Sequence, residues 1–147
     1  LAGDQAHFED CAEFIQLFHP HFHAEILELP FEDAESVGEY DFALTSPPYY
    51  DTERYSDEDT NSMNRYPSYS SWIKHFYYPL IDNTMSELKS GSAFVINVGD
   101  RAYPLSLRLN DHCKGMFNVK QLPSFLSGNG GLREANTGEA FWEITHR

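Results

Sequence analysis

Cysteine is scarce in the 147 residues: Cys11 and Cys113 are too few for a disulfide framework and form no metal-like pair, so they read as plain thiols in a reducing compartment. Positive charge is also scarce. Lys and Arg total 10 against 23 Asp and Glu, a formal net charge of -13, which leaves no overall field to draw in nucleic acid or anionic lipid. No stretch approaches the length of a membrane span, and no charged leader precedes an apolar run, so the expectation is a chain without a membrane segment, cytoplasmic and not secreted. Glycine is thin in the first third, where only Gly3 and Gly38 occur before residue 46, and the chain opens on Leu1 rather than Met. Aromatics, by contrast, are plentiful: 9 Tyr and 11 Phe exceed what a disordered acidic tail carries, because such tails lack the apolar surface that offsets ordering entropy. With 41% hydrophobic residues the chain builds one core and hardly two, so residues 1–147 are read as a single domain.

The apolar spacing divides this domain into elements. Phe8, Cys11, Ile15 and Phe18 recur at helical intervals with Asp4 as N-cap, predicting a helix over 4–18 that Pro20 closes. A short apolar run at 24–29 ends at Pro30 and reads as a strand. A second strand, 40–45, stops at Ser46-Pro47-Pro48. Residues 50–66 are acidic and without period, the pattern of a long loop. Tyr69, Trp72, Phe76, Leu80, Met85 and Leu88 predict a helix that Pro79 kinks or divides and that Lys89-Ser90-Gly91-Ser92 ends. Ala93 to Val98 is a strand buried on both faces. A helix over 104–115, a strand over 118–122 and a last strand over 141–145 follow, with a loose glycine-rich stretch at 127–138. This order predicts an α/β sandwich that ends in a hairpin. Ligands of such open sheets bind at the carboxyl ends of strands, where 46–49 and Gly99-Asp100 fall.

At the first of these ends, Asp41-Phe42-Ala43-Leu44-Thr45-Ser46-Pro47-Pro48-Tyr49 resembles the catalytic motif of the amino-directed DNA methyltransferases: a hydrophobic strand closed by Asp, Asn or Ser and then Pro-Pro-Tyr or Pro-Pro-Phe. The physical reason for such a motif can be given independently. An exocyclic base amine is a poor nucleophile because its lone pair is delocalised into the ring, and two acceptors aimed at its hydrogens help it pyramidalise. The Ser46 hydroxyl oxygen and the Pro47 carbonyl are such acceptors, and consecutive prolines hold them by fixing φ. Tyr49 is then placed to stack on a base taken out of the duplex. The resemblance continues through Tyr55-Ser56-Asp57, Tyr66-Pro67, Trp72, Pro79-Leu80 and Leu88-Lys89-Ser90-Gly91 to Val95-Ile96-Asn97-Val98-Gly99-Asp100, and covers roughly 24–147.

The resemblance implies a Rossmann-like class I methyltransferase sheet with a C-terminal β-hairpin, truncated at its N-terminus, and S-adenosylmethionine as cofactor. It implies Ser46, Pro47, Pro48 and Tyr49 as catalytic residues, Tyr50 and Tyr55 as substrate contacts, and Phe31 and Glu32 as cofactor contacts, since these two follow the strand at 24–29. The family's glycine-rich turn and ribose-binding acid find no counterpart, so the cofactor-binding start is expected before Leu1, and the chain alone is expected to bind the cofactor weakly. The resemblance further implies a bacterial or phage-like setting and DNA as partner through a full-length protein. Without the strands that flank 40–45 in the family's sheet, that strand is expected to pair with 24–29 or with the same edge of a second copy in a homodimer.

Other constellations read more plainly. His19, His21 and His23 alternate around Pro20 with no accompanying Cys or spaced carboxylate, which makes a turn rather than a zinc site, and the acidic residues 51–59 lack calcium-loop spacing, so no metal site is expected. Trp72 and Phe76 read as core, and Asn97 as satisfying backbone groups. The first reading of function is therefore transfer of a methyl group to an amine of a DNA base, with Ser at position 46 tilting toward cytosine N4 over adenine N6. A protein glutamine amide is the alternative acceptor, and a non-catalytic remnant of the fold the alternative class. A DNA enzyme is expected to gather Arg54, Arg65, Arg101, Lys120 and Arg133 about the cleft.

Overall fold

The computed structural model describes residues 13, 14, 17, 21, 30–34, 38–52, 61–123, 125–128, 131–134 and 139–147. The strand expected at 24–29 and most of the helix expected at 4–18 lie outside them; Glu13, Phe14 and Leu17 are helical.

The fold is α/β. Strand β1 (Tyr40–Thr45) is followed by the short helices α1 (Ser62–Arg65) and α2 (Tyr69–Trp72), a π-helical turn (Ile73–Tyr77) and α3 (Tyr78–Glu87). Then come β2 (Leu88–Gly99), α4 (Leu105–Cys113), β3 (Phe117–Gln121), β4 (Phe125–Gly128), β5 (Gly131–Glu134) and β6 (Glu139–His146). One four-stranded sheet has the order β1-β2-β6-β3; β1 and β2 run parallel and the other two pairings are antiparallel. The chain thus ends in the expected hairpin, with β6 inserted between β2 and β3.

Strand alternation decides which face is buried. Phe94, Ile96, Val98 and Ile144 point to one face and are buried against Trp72, Tyr77, Ile81, Met85, Leu105 and Leu109 of the helical layer. On the opposite face β1 is largely bare: Phe42 and Leu44 are 58% and 63% exposed. Among the described residues β1 is an edge strand, bonded only to β2; the pairing expected for its outer edge, with 24–29 or a second copy, lies outside the described residues.

Several boundaries depart from the sequence reading for identifiable reasons. The helix expected to run from Tyr69 to Leu88 is interrupted by the π turn, in which the Tyr78 N–H reaches back five residues to the Ile73 carbonyl. Proline has no N–H to give the carbonyl four residues before it and its ring crowds that carbonyl; a widened turn just before Pro79 relieves both. The helix then stops at Glu87, and Lys89 to Ser92 already belong to β2 rather than to a helix cap. There the ladder slips: β1 advances from Tyr40 to Phe42 while β2 advances from Leu88 to Ala93. Gly91, with φ of +85°, supplies the left-handed residue that this bulge requires. The loop read over 50–66 contains α1, capped by the Asn61 side chain accepting from the Met63 N–H, while 53–60 lie outside the description. The stretch read as loose at 127–138 carries the antiparallel pair β4 and β5.

Candidate functional site

Beyond Thr45 the chain leaves β1 at its carboxyl end, and the two prolines follow at once. The parallel register sets Thr45 beside Ile96, so the next residues, Ser46 and Asn97, stand level on neighbouring strands. Ser46 is exposed, and its hydroxyl donates to Asn97 Oδ1 at 3.5 Å. Asn97 in turn donates from Nδ2 to the Ala140 carbonyl of β6 at 3.4 Å. Pro47 is buried and Pro48 half-buried, which seats the turn against the core.

Tyr49 and Tyr50 both point inward. Tyr49 is 8% exposed and joins the core cluster. Tyr50 has φ of +53°, a left-handed conformation that a bulky residue holds only where its surroundings over-determine it. Those surroundings are aromatic. The Tyr50 ring lies 5.8 Å from Tyr69, 5.9 Å from Trp72 and edge-on to Tyr103 at 5.4 Å, and its hydroxyl donates to the Pro67 carbonyl at 2.8 Å. Tyr50 is therefore an anchor of the turn, and the substrate contact expected of it is not what its geometry offers. Tyr55, the other expected contact, lies outside the described residues.

Two further ties hold this end of the sheet. The Tyr103 hydroxyl, in the loop after β2, donates to Asp51 Oδ1 at 2.7 Å. That bond, with burial second, pushes Tyr103 up to about 12. In the same loop Asp100 accepts from the Ser106 N–H at 2.8 Å and from the Ser106 hydroxyl, fixing the start of α4. Burial pushes the Tyr69 hydroxyl up as well, with Arg108 beside it acting in the opposite direction. Neither the tie from Tyr103 to Asp51 nor the pairing of Ser46 with Asn97 was foreseen, since each joins residues about fifty positions apart and has no local sequence signal.

Phe31 and Glu32, the expected cofactor contacts, sit on a 3-10 turn (Phe31–Asp33) that packs against α3. Phe31 lines a groove of about 320 Å³ along β1, together with Tyr40, Phe42, Leu44, Leu80 and Thr84. Thr45 lines it too, so the groove runs up to the Ser46 end of the strand. Glu32 is turned away from that use: its side chain is 5% exposed and pairs with Arg65 at 3.3 Å. Arg65 also makes a forked pair with Asp33, at 2.5 and 2.8 Å, and this hydrogen-bonded contact holds the Asp33 carboxyl below its usual range. The lining of the groove is apolar apart from Tyr40, Thr45 and Thr84. Its polar side chains Tyr40 and Thr84 already donate to the backbone of α3, at 2.6 and 2.7 Å, and Glu32 is committed to Arg65. Tyr40, Thr84 and Glu32 are therefore not free to hold the ribose diol or the charged methionine end of S-adenosylmethionine.

Among the described residues, two of the expected cations lie away from the cleft. Arg65 is engaged with Asp33 and Glu32, and Lys120 stands on β3, the far edge of the sheet, opposite Glu143. Arg101, just past β2, is the member of the expected set placed near the strand ends; Arg54 and the Arg133 side chain lie outside the description. Among the described residues no group of three or more His, Cys, Asp or Glu is placed to hold a metal ion, and no helix is long and apolar enough to cross a membrane. Comparison with protein-family models, with curated proteins and with solved structures finds no match to this chain.

Proposed function

We propose that this chain is the catalytic part of an amino-directed methyltransferase, with a DNA base amine, cytosine N4 before adenine N6, as the acceptor. The observation that carries the reading is the position of Ser46: an exposed hydroxyl at the carboxyl end of a parallel strand, immediately before two prolines, with Asn97 level with it on the next strand. The parallel pair β1 and β2 and the closing antiparallel pair β3 and β6 support the reading of this sheet as part of a class I methyltransferase sheet.

S-adenosylmethionine, when bound, supplies an electrophilic methyl group on a sulfonium and leaves as a thioether. The rest is the work of the chain. Ser46 Oγ and the Pro47 carbonyl accept the two amine hydrogens, which draws the nitrogen lone pair out of conjugation. Because the prolines and the buried Tyr50 anchor fix the turn beforehand, little reorganisation is needed when the acceptor arrives. Neither oxygen is a base of useful strength, so the proton that the methylated nitrogen sheds goes to water at the exposed Ser46 edge. Tyr49, buried in the core cluster, holds the turn from within rather than offering its face to the acceptor.

A protein glutamine amide is the second reading, and the placement of Arg65 and Lys120 away from the cleft favours it, because phosphate contacts need local positive charge. A homodimer through the outer edge of β1 belongs to the same proposal, since Phe42 and Leu44 are exposed there, as does a cytoplasmic location. The test is transfer of labelled methyl from S-adenosylmethionine to double-stranded DNA and, in parallel, to glutamine-containing peptides, with wild type and the Ser46→Ala, Tyr49→Ala variant. Label in DNA that the variant abolishes supports the first reading, and label in peptide alone supports the second. Equal transfer by the variant removes these residues from the mechanism.

A further inference from the structure

The hydrogen-bond partners of Asn97 fix which way the Ser46 hydroxyl points. A main-chain carbonyl only accepts, so the Asn97 group 3.4 Å from the Ala140 oxygen must be the amide nitrogen. The other end of the same planar amide, facing Ser46 at 3.5 Å, is then the oxygen, which also only accepts. Ser46 has one proton to give, and the sole arrangement that satisfies all three groups sends it to Asn97. Both lone pairs of Ser46 Oγ are then left for an outside donor.

We infer that Asn97 is a positioning residue that consumes the Ser46 proton and thereby sets Ser46 as an acceptor for an incoming N–H. The inference rests on the functional reading above, because an acceptor-only hydroxyl matters where the substrate presents amine hydrogens. A serine free to rotate would instead offer its proton to the amine lone pair part of the time, tying up the electrons that must attack. The parallel ladder contributes as well: Thr45 opposite Ile96 keeps Ser46 and Asn97 level, and Val98 opposite Ala140 keeps the Asn97 anchor in place.

Three substitutions separate this role from a structural one. Asn97→Asp keeps an acceptor toward Ser46 and loses the donor to Ala140; Asn97→Ala loses both. In methyl transfer from labelled S-adenosylmethionine to double-stranded DNA, Asn97→Ala is expected to lower kcat about 3- to 10-fold with little change in KM, the size of one net hydrogen bond. Asn97→Asp should restore most of that loss, and Ser46→Ala combined with Asn97→Ala should be no slower than Ser46→Ala alone. Equal loss in Asn97→Asp and Asn97→Ala, or full additivity with Ser46→Ala, overturns the assignment in favour of a structural tie between β2 and β6. Should the wild-type chain transfer methyl to no amine acceptor, the functional reading fails. The orientation is then decided by the side-chain amide NMR signals of Asn97 in the chain alone. Ser46→Ala must shift them, and unchanged signals overturn the assignment.

Discussion

Tyr103 donates a hydrogen bond from its hydroxyl to Asp51 Oδ1 across 2.7 Å, and so joins the loop that follows β2 to the turn that carries Ser46. The two segments are the carboxyl ends of neighbouring parallel strands, and the bond spans the mouth between them. Its ring lies nearly parallel to Tyr69 at 4.5 Å, which continues the aromatic cluster holding Tyr50. One side chain therefore ties strand end, turn and helical layer together.

This bond has a pH signature. Tyrosine ordinarily loses its proton near 10, and Tyr103 keeps it to about 12 in the folded chain. The folded state thus binds the proton more tightly than the unfolded one, so its stabilising contribution is fully present below pH 10 and is lost as pH rises through 12. Tyr103→Phe should melt at a lower temperature than wild type, by about 2–4 °C at neutral pH. The gap between the two should close between pH 10 and 12. Melting followed by circular dichroism over that range checks this; a gap independent of pH means that the hydroxyl bond to Asp51 contributes nothing.

At acid pH the pair to watch is Asp33 with Arg65. The forked contact lowers the Asp33 pKa below 3.8, so the folded state prefers the ionised carboxylate. Its contribution is present above the unfolded value and disappears as pH falls through the folded one. Asp33→Asn should therefore be less stable than wild type at pH 6, and the difference should shrink as pH falls below 3.8. Because Asp33 and Arg65 are partly open to solvent, 1 M salt should shrink the difference at pH 6. Acid titrations of the two proteins at low and high salt measure both effects.

How much of this was legible in the sequence depends on the range of the interaction. Strand β1 is readable because an apolar run meets Ser46-Pro47; the helix expected over 104–115 is observed as Leu105–Cys113, and its buried residues Leu105, Leu109 and Cys113 lie four apart. Gly91 was read as a helix cap, since glycine serves both helix ends and bulges, and only the ladder with β1 shows that it makes a bulge. Pro79 announced an interruption but not its form; a widened turn before the ring and a bend at it are alternatives that local sequence does not separate. The candidate site was half readable. Ser46 to Tyr49 is contiguous, whereas Asn97, Tyr103 and Arg65 reach their partners through register and packing. The inward aim of Tyr50 follows from its left-handed backbone, which the sequence does not mark.

Cys113 provides a probe of the helical layer. It is fully buried on α4, and desolvation, aided by the negative charge of Asp82, pushes its thiol up to about 12. Since the thiolate is the reacting species, iodoacetamide at pH 8 should leave Cys113 unmodified in the folded chain and alkylate it in 6 M guanidinium chloride, as peptide mass spectrometry would show. Rapid labelling under native conditions would mean that α4 opens from the sheet far more readily than its packing suggests.

The final prediction concerns the support beneath the candidate site. Trp72 is fully buried, and its indole N–H donates to the Ser62 hydroxyl at 3.1 Å, linking α2 to α1. Ser62→Ala leaves a buried donor without an acceptor, at a cost of about 1–3 kcal/mol. Trp72→Ala removes the hydrogen bond and opens a cavity, about 3–5 kcal/mol by comparison with other large-to-small core changes. The pair should be less than additive, because once the indole is gone Ser62 has no partner to lose. Urea unfolding followed by circular dichroism gives all three values. The Tyr50 ring lies 5.9 Å from Trp72, so a loosened indole releases the anchor of the left-handed turn. Ser62→Ala should then lower methyl transfer more than its modest stability loss accounts for, since the folded fraction stays near unity while Ser46 and Pro47 lose their fixed geometry. Activity that only tracks the folded fraction would show that the Ser46 turn holds its shape without the aromatic cluster.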